Sequence, residues 1–362
     1  MEEVIEAGEF PPKKDRTFQR IKRRVLKHIW LVRIGLLASV FLGAYLSILL
    51  LGFILARAGV TNYGQAITNF IFAPTSKVET KNGRTNILLL GKGGQGHEAS
   101  DLTDTIIFGS IAHAPAGISL FSLPRDIWVP AIRAKVNSAY YWGNQKQENG
   151  GLILAKSTVE EMVGQPVHYG IVVDFSAFTK IIDVVEGIAV DVARAFVDEK
   201  YPIPGKEDDL CDGDQEFKCR YETLKFEKGL QVMDGETALK FVRSRNAQGE
   251  EGTDLARIER QQKVLVAVRK KVLSAKILLS PKKLFSILKV VRGSVESDIT
   301  PGVGAVLVRR ALNAKEKINS YILSEEFLLN PPISPRYDNL YVFIPKAGNW
   351  SQVQDWIKNL LP

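Results

Sequence analysis

FVRSRNAQGEEGTDLARIERQQ, residues 241–262, changes pattern from strand to loop to helix while basic side chains keep recurring. FVRSR reads as an extended segment, on which Arg243 and Arg245 project from the same side, roughly 7 Å apart. A polar loop follows, and Thr253-Asp254 reads as the start of a helix running to about Ala275, with Asp254 as its cap. At 100° per residue Asp254, Arg257 and Gln261 share one stripe of that helix, whereas Arg260 falls off it. The guanidinium group matches phosphate oxygens in a bidentate geometry, and a helix N-terminus adds a favourable field for anions. The stretch therefore reads as a cradle for phosphates. The competing reading is a solvated surface with its arginines paired to Glu250, Glu251 and Glu259, because an isolated RxR is a weak signal.

Around this stretch, strands interleave with helices. NILLLG, DTIIFGSI, GISLFSLP, YGIVVDF and IAVDVARAF are short apolar runs bounded by Gly, Pro and polar residues, as buried strands are. LILAKSTVEEMVG, SAFTKIIDVVEGI, MDGETALKF and PKKLFSILKVV have helical spacing; NLYVFIPKAG reads as a strand and WSQVQDWIKNLL as an amphipathic terminal helix. The order predicts an α/β fold, a mixed central sheet flanked by helices on both faces in three αβα layers.

The 362 residues are 45 % hydrophobic and 24 % charged, enough for one large or two modest domains. Residues 1–33 hold nine Lys or Arg against five acids, so +4 of the formal +8 lies there and +4 is spread over the rest. So mild an excess excludes a general nucleic-acid surface, and any anion site must be local. Ile34 to Ala56 then runs 23 residues without a charge, about 35 Å as a helix, enough to cross a bilayer core. The basic flank places residues 1–33 in the cytoplasm and the chain after the span outside. Ala56-Arg57-Ala58 resembles a signal-peptidase site, but an apolar stretch this long reads as a retained anchor. The expected plan is a basic cytoplasmic tail (1–33), a transmembrane helix (34–56), an extracytoplasmic linker (57–85) and a folded domain (86–362). In that compartment Cys211 and Cys219, in the acidic loop LCDGDQEFKCR, read as a loop-closing disulfide; in the cytosol they would be two thiols.

Gly91, Gly93 and Gly96 satisfy G-x-G-x-x-G, yet no helix opens at the third glycine and no Gly-Lys-Ser/Thr follows, so no nucleotide cofactor is expected. Asp101-Leu102-Thr103-Asp104-Thr105 brings carboxylates to a strand entrance, where a hard ion such as Mg²⁺ or Mn²⁺ shares ligands with a phosphate; the alternative is turn-forming Asp. SLPRD puts Arg125 and Asp126 directly after a strand, and KVNSAYYWGN supplies Lys135 and Asn137. The four histidines have no metal-ligand spacing and no G-x-S-x-G elbow occurs, which argues against a covalent serine hydrolase.

In this order, LTDT with Asp104, SLPRD with Arg125, KVNSAY with Lys135 and Asn137, VVDFSAFTKIIDVVEGI, and GLQVMDGETALKFVRSR…DLARIERQQ resemble the LytR-CpsA-Psr family of bacterial envelope proteins, over about 86–275. The resemblance implies a membrane-anchored phosphotransferase that moves a glycopolymer from a polyprenyl diphosphate carrier to peptidoglycan through a phosphodiester link. It puts Asp104 at the metal or pyrophosphate, with Asp101 as a second metal ligand. Arg125, Arg243, Arg245 and Arg257 would bind phosphates, and Asp254, Gln261, Lys135 and Asn137 would complete the site. Family members usually carry Arg where this chain has Leu102, and Asp where it has Lys92-Gly93. Asp101 or Glu98 would then supply the missing carboxylate and Lys92 part of the missing charge. Those departures leave open a non-catalytic polyprenyl-phosphate binder or envelope scaffold, and a membrane-tethered regulator acting through residues 1–33 is a third reading.

Overall fold

The computed structural model describes residue 68 and residues 72–93, 100–314 and 317–361. The expected tail and transmembrane helix lie outside the described residues, as do Gly96 and Glu98. Among the described residues no helix is long and apolar enough to cross a membrane.

In chain order the strands are β1 (Arg84–Lys92), β2 (Thr103–Ala112), β3 (Gly117–Ser122), β4 (Trp128–Val129), β5 (Ala134–Lys135), β6 (Tyr169–Asp174), β7 (Ile188–Val192), β8 (Phe196–Pro202), β9 (Tyr221–Phe226), β10 (Gly229–Met233), β11 (Val295–Ser297), β12 (Ile318–Ile322), β13 (Leu328–Leu329) and β14 (Ile344–Pro345). The α-helices are α1 (Ala139–Lys146), α2 (Gly150–Val163), α3 (Phe175–Val184), α4 (Gly235–Arg243), α5 (Asp254–Val272), α6 (Ala275–Leu278), α7 (Pro281–Ser294), α8 (Pro301–Asn313) and α9 (Ser351–Leu360).

Six strands form the central sheet in the order β11-β6-β1-β2-β3-β12. The short links between β1, β2 and β3 dictate an antiparallel meander, whereas β6 joins β1 and β12 joins β3 in parallel after helical crossovers. Alternation along β1 sends Leu88 and Leu90 to one face, where they meet Phe108, Phe121 and residues of α1, α2 and α9 such as Tyr140, Val159 and Ile357. Ile87, Ile111 and Ile118 pack on the other side against Val303, Val306 and Leu307 of α8. Both faces are covered, as an αβα arrangement requires. Each fully buried Leu or Phe contributes about 1.5–3 kcal/mol of apolar burial, so the sheet ends are held by a rigid core.

A second apolar cluster joins β7, β8, β9 and β10 to α3, α4 and α5, centred on Ile182, Phe196, Phe226 and Phe241. Cys211 and Cys219 are disulfide-bonded between β8 and β9, with Cα atoms 5.5 Å apart.

Three readings change. FVRSR is not a strand: Phe241 and Arg243 end α4, whose N-cap Asp234 accepts from the Thr237 amide, and Ser244 turns the chain out of the helix. Helical spacing from Ala238 to Phe241, both buried, outweighs a five-residue alternation. Thr253, rather than Asp254, caps α5 by accepting from the Ala256 amide, and α5 stops at Val272. Residues 339–348 are mostly irregular, with only Ile344–Pro345 in a strand, paired to Leu328–Leu329.

Candidate functional site

The register brings the chemistry to one end of the sheet. Lys92, the last residue of β1, stands opposite Thr103 of β2 and beside Asp174 of β6, while Arg125 lies three residues past the end of β3. Ligands in open α/β sheets collect at such carboxyl ends. Gly91 fits there because a Cβ would meet the Thr105 side chain at 3.0 Å.

Asp104 is the centre of the site. Its Oδ1 takes a charged hydrogen bond from Arg125 Nη1, and its Oδ2 lies 3.4 Å from Arg245 Nη2. Burial by itself would raise the Asp104 carboxyl. The charge of Arg125, then that of Arg245, the Arg125 hydrogen bond and the charge of Arg257 outweigh it and hold the group below the ordinary carboxylate range. Arg257 reaches this field from the first turn of α5 while buried to 3 % exposure. Two guanidinium groups from separate segments thus meet one carboxylate, and the charge of a third acts on it, leaving an excess of positive charge suited to an oxyanion.

A second layer orients the first. Asp126, buried, accepts from Lys135 Nζ at 2.6 Å and from Arg125 Nε at 3.3 Å. The main chain of Asn137 accepts from Thr103 Oγ1 at 3.1 Å and donates to the Arg125 carbonyl at 3.2 Å, tying the start of β2 to the arginine loop. Lys135 and Asn137 thus stand beside Arg125, through Asp126 and through the main chain. Arg243 lies over the Phe175 ring at 4.6 Å, at the start of α3 directly after β6, and not on a strand face shared with Arg245. Asp254 is the first residue of α5, and Gln261 is half-buried two turns on.

Lys92 and Asp101 pair at 2.8 Å, and the ammonium sits 4.9 Å above the Tyr140 ring. Burial pulls the Lys92 ammonium down, but the Asp101 hydrogen bond and charge and the nearby Tyr140 carry it above its usual range. Lys92, which stands where the family pattern has an acid, and Asp101, expected to stand in for the missing carboxylate, thus neutralise each other. For a divalent ion this leaves Asp104 as the carboxylate at the cluster, and among the described residues no third His, Cys, Asp or Glu ligand joins Asp101 and Asp104 in a compact group. Mg²⁺ takes one or two carboxylates and completes its shell with phosphate oxygens and water, so the donor set fits a metal brought by a phosphorylated ligand.

Sequence reading missed the devices that aim Arg245. Asp198, fully buried on β8, accepts through Oδ2 from Ser244 Oγ at 2.7 Å and from the amides of Arg245 and Asn246 at 3.1 and 3.2 Å. Arg260, one turn after Arg257 on α5, donates to the carbonyls of Phe241 at 3.0 Å and Ser244 at 2.7 Å and pairs with Glu251 at 2.9 Å. A buried acid holds the amides of the turn and a buried base holds its carbonyls. The signal was present: alternation from Phe196 puts Asp198 on an inward face, where a carboxylate must find donors. Gln262, also overlooked, donates to Ser122 Oγ and the Tyr321 carbonyl, both at 2.9 Å, and fixes α5 against β3 and β12.

The chain belongs to the LytR_cpsA_psr family, whose model matches residues 60–359. It is similar to the polyisoprenyl-teichoic acid–peptidoglycan teichoic acid transferase TagV of Bacillus subtilis (strain 168), 27 % identical over 267 residues, 72 % of this chain and 60 % of TagV. It is also similar to the transferase TagU of Oceanobacillus iheyensis, 29 % identical over 238 residues, 65 % of each chain. The chain thus spans about two thirds or less of the length of these relatives. In fold it is similar to the crystal structure of B. subtilis TagV, with a TM-score of 0.55 and 24 % identity over 78 % of this chain and 98 % of that one.

Proposed function

We propose that this protein is a membrane-anchored, extracytoplasmic phosphotransferase that moves a glycopolymer from a polyprenyl diphosphate carrier onto peptidoglycan, with cleavage of the diphosphate as its hydrolytic counterpart. The observation that carries the reading is the meeting of Arg125 and Arg245 at Asp104, under the added charge of Arg257, at the carboxyl end of the sheet. A diphosphate in that field is matched by fixed guanidinium donors that need no reorganisation as charge moves onto the leaving group.

In the reaction an acceptor sugar hydroxyl attacks the phosphorus nearer the glycan. The P–O bond to the polyprenyl phosphate breaks as the new phosphodiester forms, and the hydroxyl proton leaves to the released phosphate or to water. Phosphoryl transfer of this kind depends chiefly on positioning and charge neutralisation. Arg125, Arg245 and Arg257 would grip the phosphate oxygens, with Arg243 braced on Phe175 at the neighbouring strand end. An acid held below its usual range is a weak base, so Asp104 acts by orienting the guanidinium groups rather than by taking the proton. Mg²⁺, or Mn²⁺, would be held by Asp104 with the phosphates and would supply further neutralising charge.

The test is to incubate the full-length protein with a polyprenyl diphosphate-linked glycan and peptidoglycan, with and without Mg²⁺, and to weigh the products by mass spectrometry. Polyprenyl monophosphate together with a phosphodiester-linked glycan is expected. Donor recovered intact and still bound would instead indicate a binding protein.

A further inference from the structure

The segment 269–292, RKKVLSAKILLSPKKLFSILKVVR, carries eight Lys or Arg and no acid, as many positive charges as the net charge of the whole chain. The phosphate cluster uses none of them. Leu284 and Ile287 of α7 and Ile277 of α6 face the second apolar cluster, which fixes the inner side of both helices. The exposed positions of α7 include Lys282, Phe285, Lys289 and Arg292, spaced by three, four and three residues along one outward stripe. Leu279, just before α7, is 82 % exposed, and Leu278 and Val291 are exposed too. The acid that meets this surface is Glu186, from the turn after α3. It pairs with Lys276 at 3.0 Å and Lys283 at 2.7 Å and is pulled down to about 2 by the hydrogen bonds from Lys283 and Lys276.

A solvated face of a helix has no need to show Leu and Phe, and a surface for a dissolved polyanion has none either. Cations interleaved with exposed Leu and Phe match the interface of an anionic bilayer, where charged head groups lie above acyl chains. We infer that the α6–α7 surface docks on anionic lipid, a membrane contact additional to the expected transmembrane anchor. The stripe ends at Arg292, which lines a cavity of about 290 Å³ with Lys92, Asp174 and Glu296. Docking by this surface therefore sets the carboxyl ends of β1 and β6 beside the lipid surface. The inference concerns lipid contact alone and holds whether or not the chain transfers a glycopolymer.

The test uses the full chain in liposomes with a single environment-sensitive label. Cys211 and Cys219 are bonded to each other, so Leu279→Cys labels cleanly, with Ile333→Cys, at an exposed site elsewhere, as the reference. In liposomes of phosphatidylglycerol and phosphatidylcholine, the label at 279 is expected to brighten, shift to the blue and be quenched by nitroxide lipid, while the label at 333 is not. In phosphatidylcholine alone, at high salt, or with Lys282→Glu and Lys289→Glu, that response is lost, because each cation near the surface strengthens association roughly fivefold. The salt arm needs no variant, and an unchanged melting curve confirms that the charge reversals leave the fold intact. Equal responses at 279 and 333, or a signal unaffected by lipid charge and salt, would overturn the inference. So would a response to soluble polyglycerol phosphate that anionic liposomes do not elicit, which would assign the surface to a polymer.

Discussion

The two basic regions of this chain rest on opposite physics. At the phosphate cluster cations are few, most of them partly or wholly buried, and held by acids: Asp104 between Arg125 and Arg245, Asp126 on Lys135, and Asp198 on the turn that carries Arg245, whose carbonyls Arg260, paired with Glu251, also holds. On the α6–α7 surface cations are many, and most are solvated. Selectivity for a compact, doubly charged group needs guanidinium groups fixed before the ligand arrives. Attraction to an extended anionic surface needs only charge density and something apolar to insert. Net charge reports neither, since one orienting acid cancels one cation while sharpening the site.

That contrast is broken most severely at Arg260. Replacing it with Ala strips the carbonyls of Phe241 and Ser244 of their donor and takes from Glu251 one of its two arginine partners, Arg194 being the other, at an expected cost of about 3–5 kcal/mol, read by denaturant unfolding. A loss as large in Lys289→Ala would erase the distinction between the regions. Asp198→Asn keeps shape but removes the charged acceptor for Ser244, Arg245 and Asn246. About 1.5–3 kcal/mol of stability should be lost. Hydrogen exchange at the amides of 245 and 246 should rise with it; unchanged protection there would remove Asp198 from the aiming of Arg245.

The carboxyl of Asp104 should titrate below the ordinary value, followed by NMR. A folded value below the unfolded one means that its share of stability is fully present above the unfolded carboxylate range, near 3.9, and fades as pH falls through the lower folded value. Asp104→Asn should flatten that part of the acid limb; an unaltered limb would mean that the arginines are indifferent to it. The smallest effect belongs to the solvated surface, where Lys282→Ala and Lys289→Ala should each stay within about 0.5 kcal/mol of the parent.

The α/β class and most helices were legible because the apolar periods of NILLLG, DTIIFGSI and LILAKSTVEEMV are long enough to choose between 2 and 3.6 residues. FVRSR was not, since five residues at the end of a helix fit either period and the tertiary contact of Phe241 decides. Of the residues named from the pattern, Arg125 and Arg245 meet Asp104 and the charge of Arg257 acts on it, Arg243 lies over Phe175, and Asp101 is taken by Lys92. What Asp198 and Arg260 do was not legible, because most of their partners are main-chain groups of a turn about 45 and 15–20 residues away, a relation no local spacing encodes.

The central claim is that the arginines at the end of α4 and just after it grip a diphosphate. Arg243→Ala combined with Arg245→Ala, assayed for release of polyprenyl monophosphate from a polyprenyl diphosphate-linked glycan, should show no transfer or cleavage while still unfolding cooperatively. Turnover of that double variant at the wild-type rate would contradict the account.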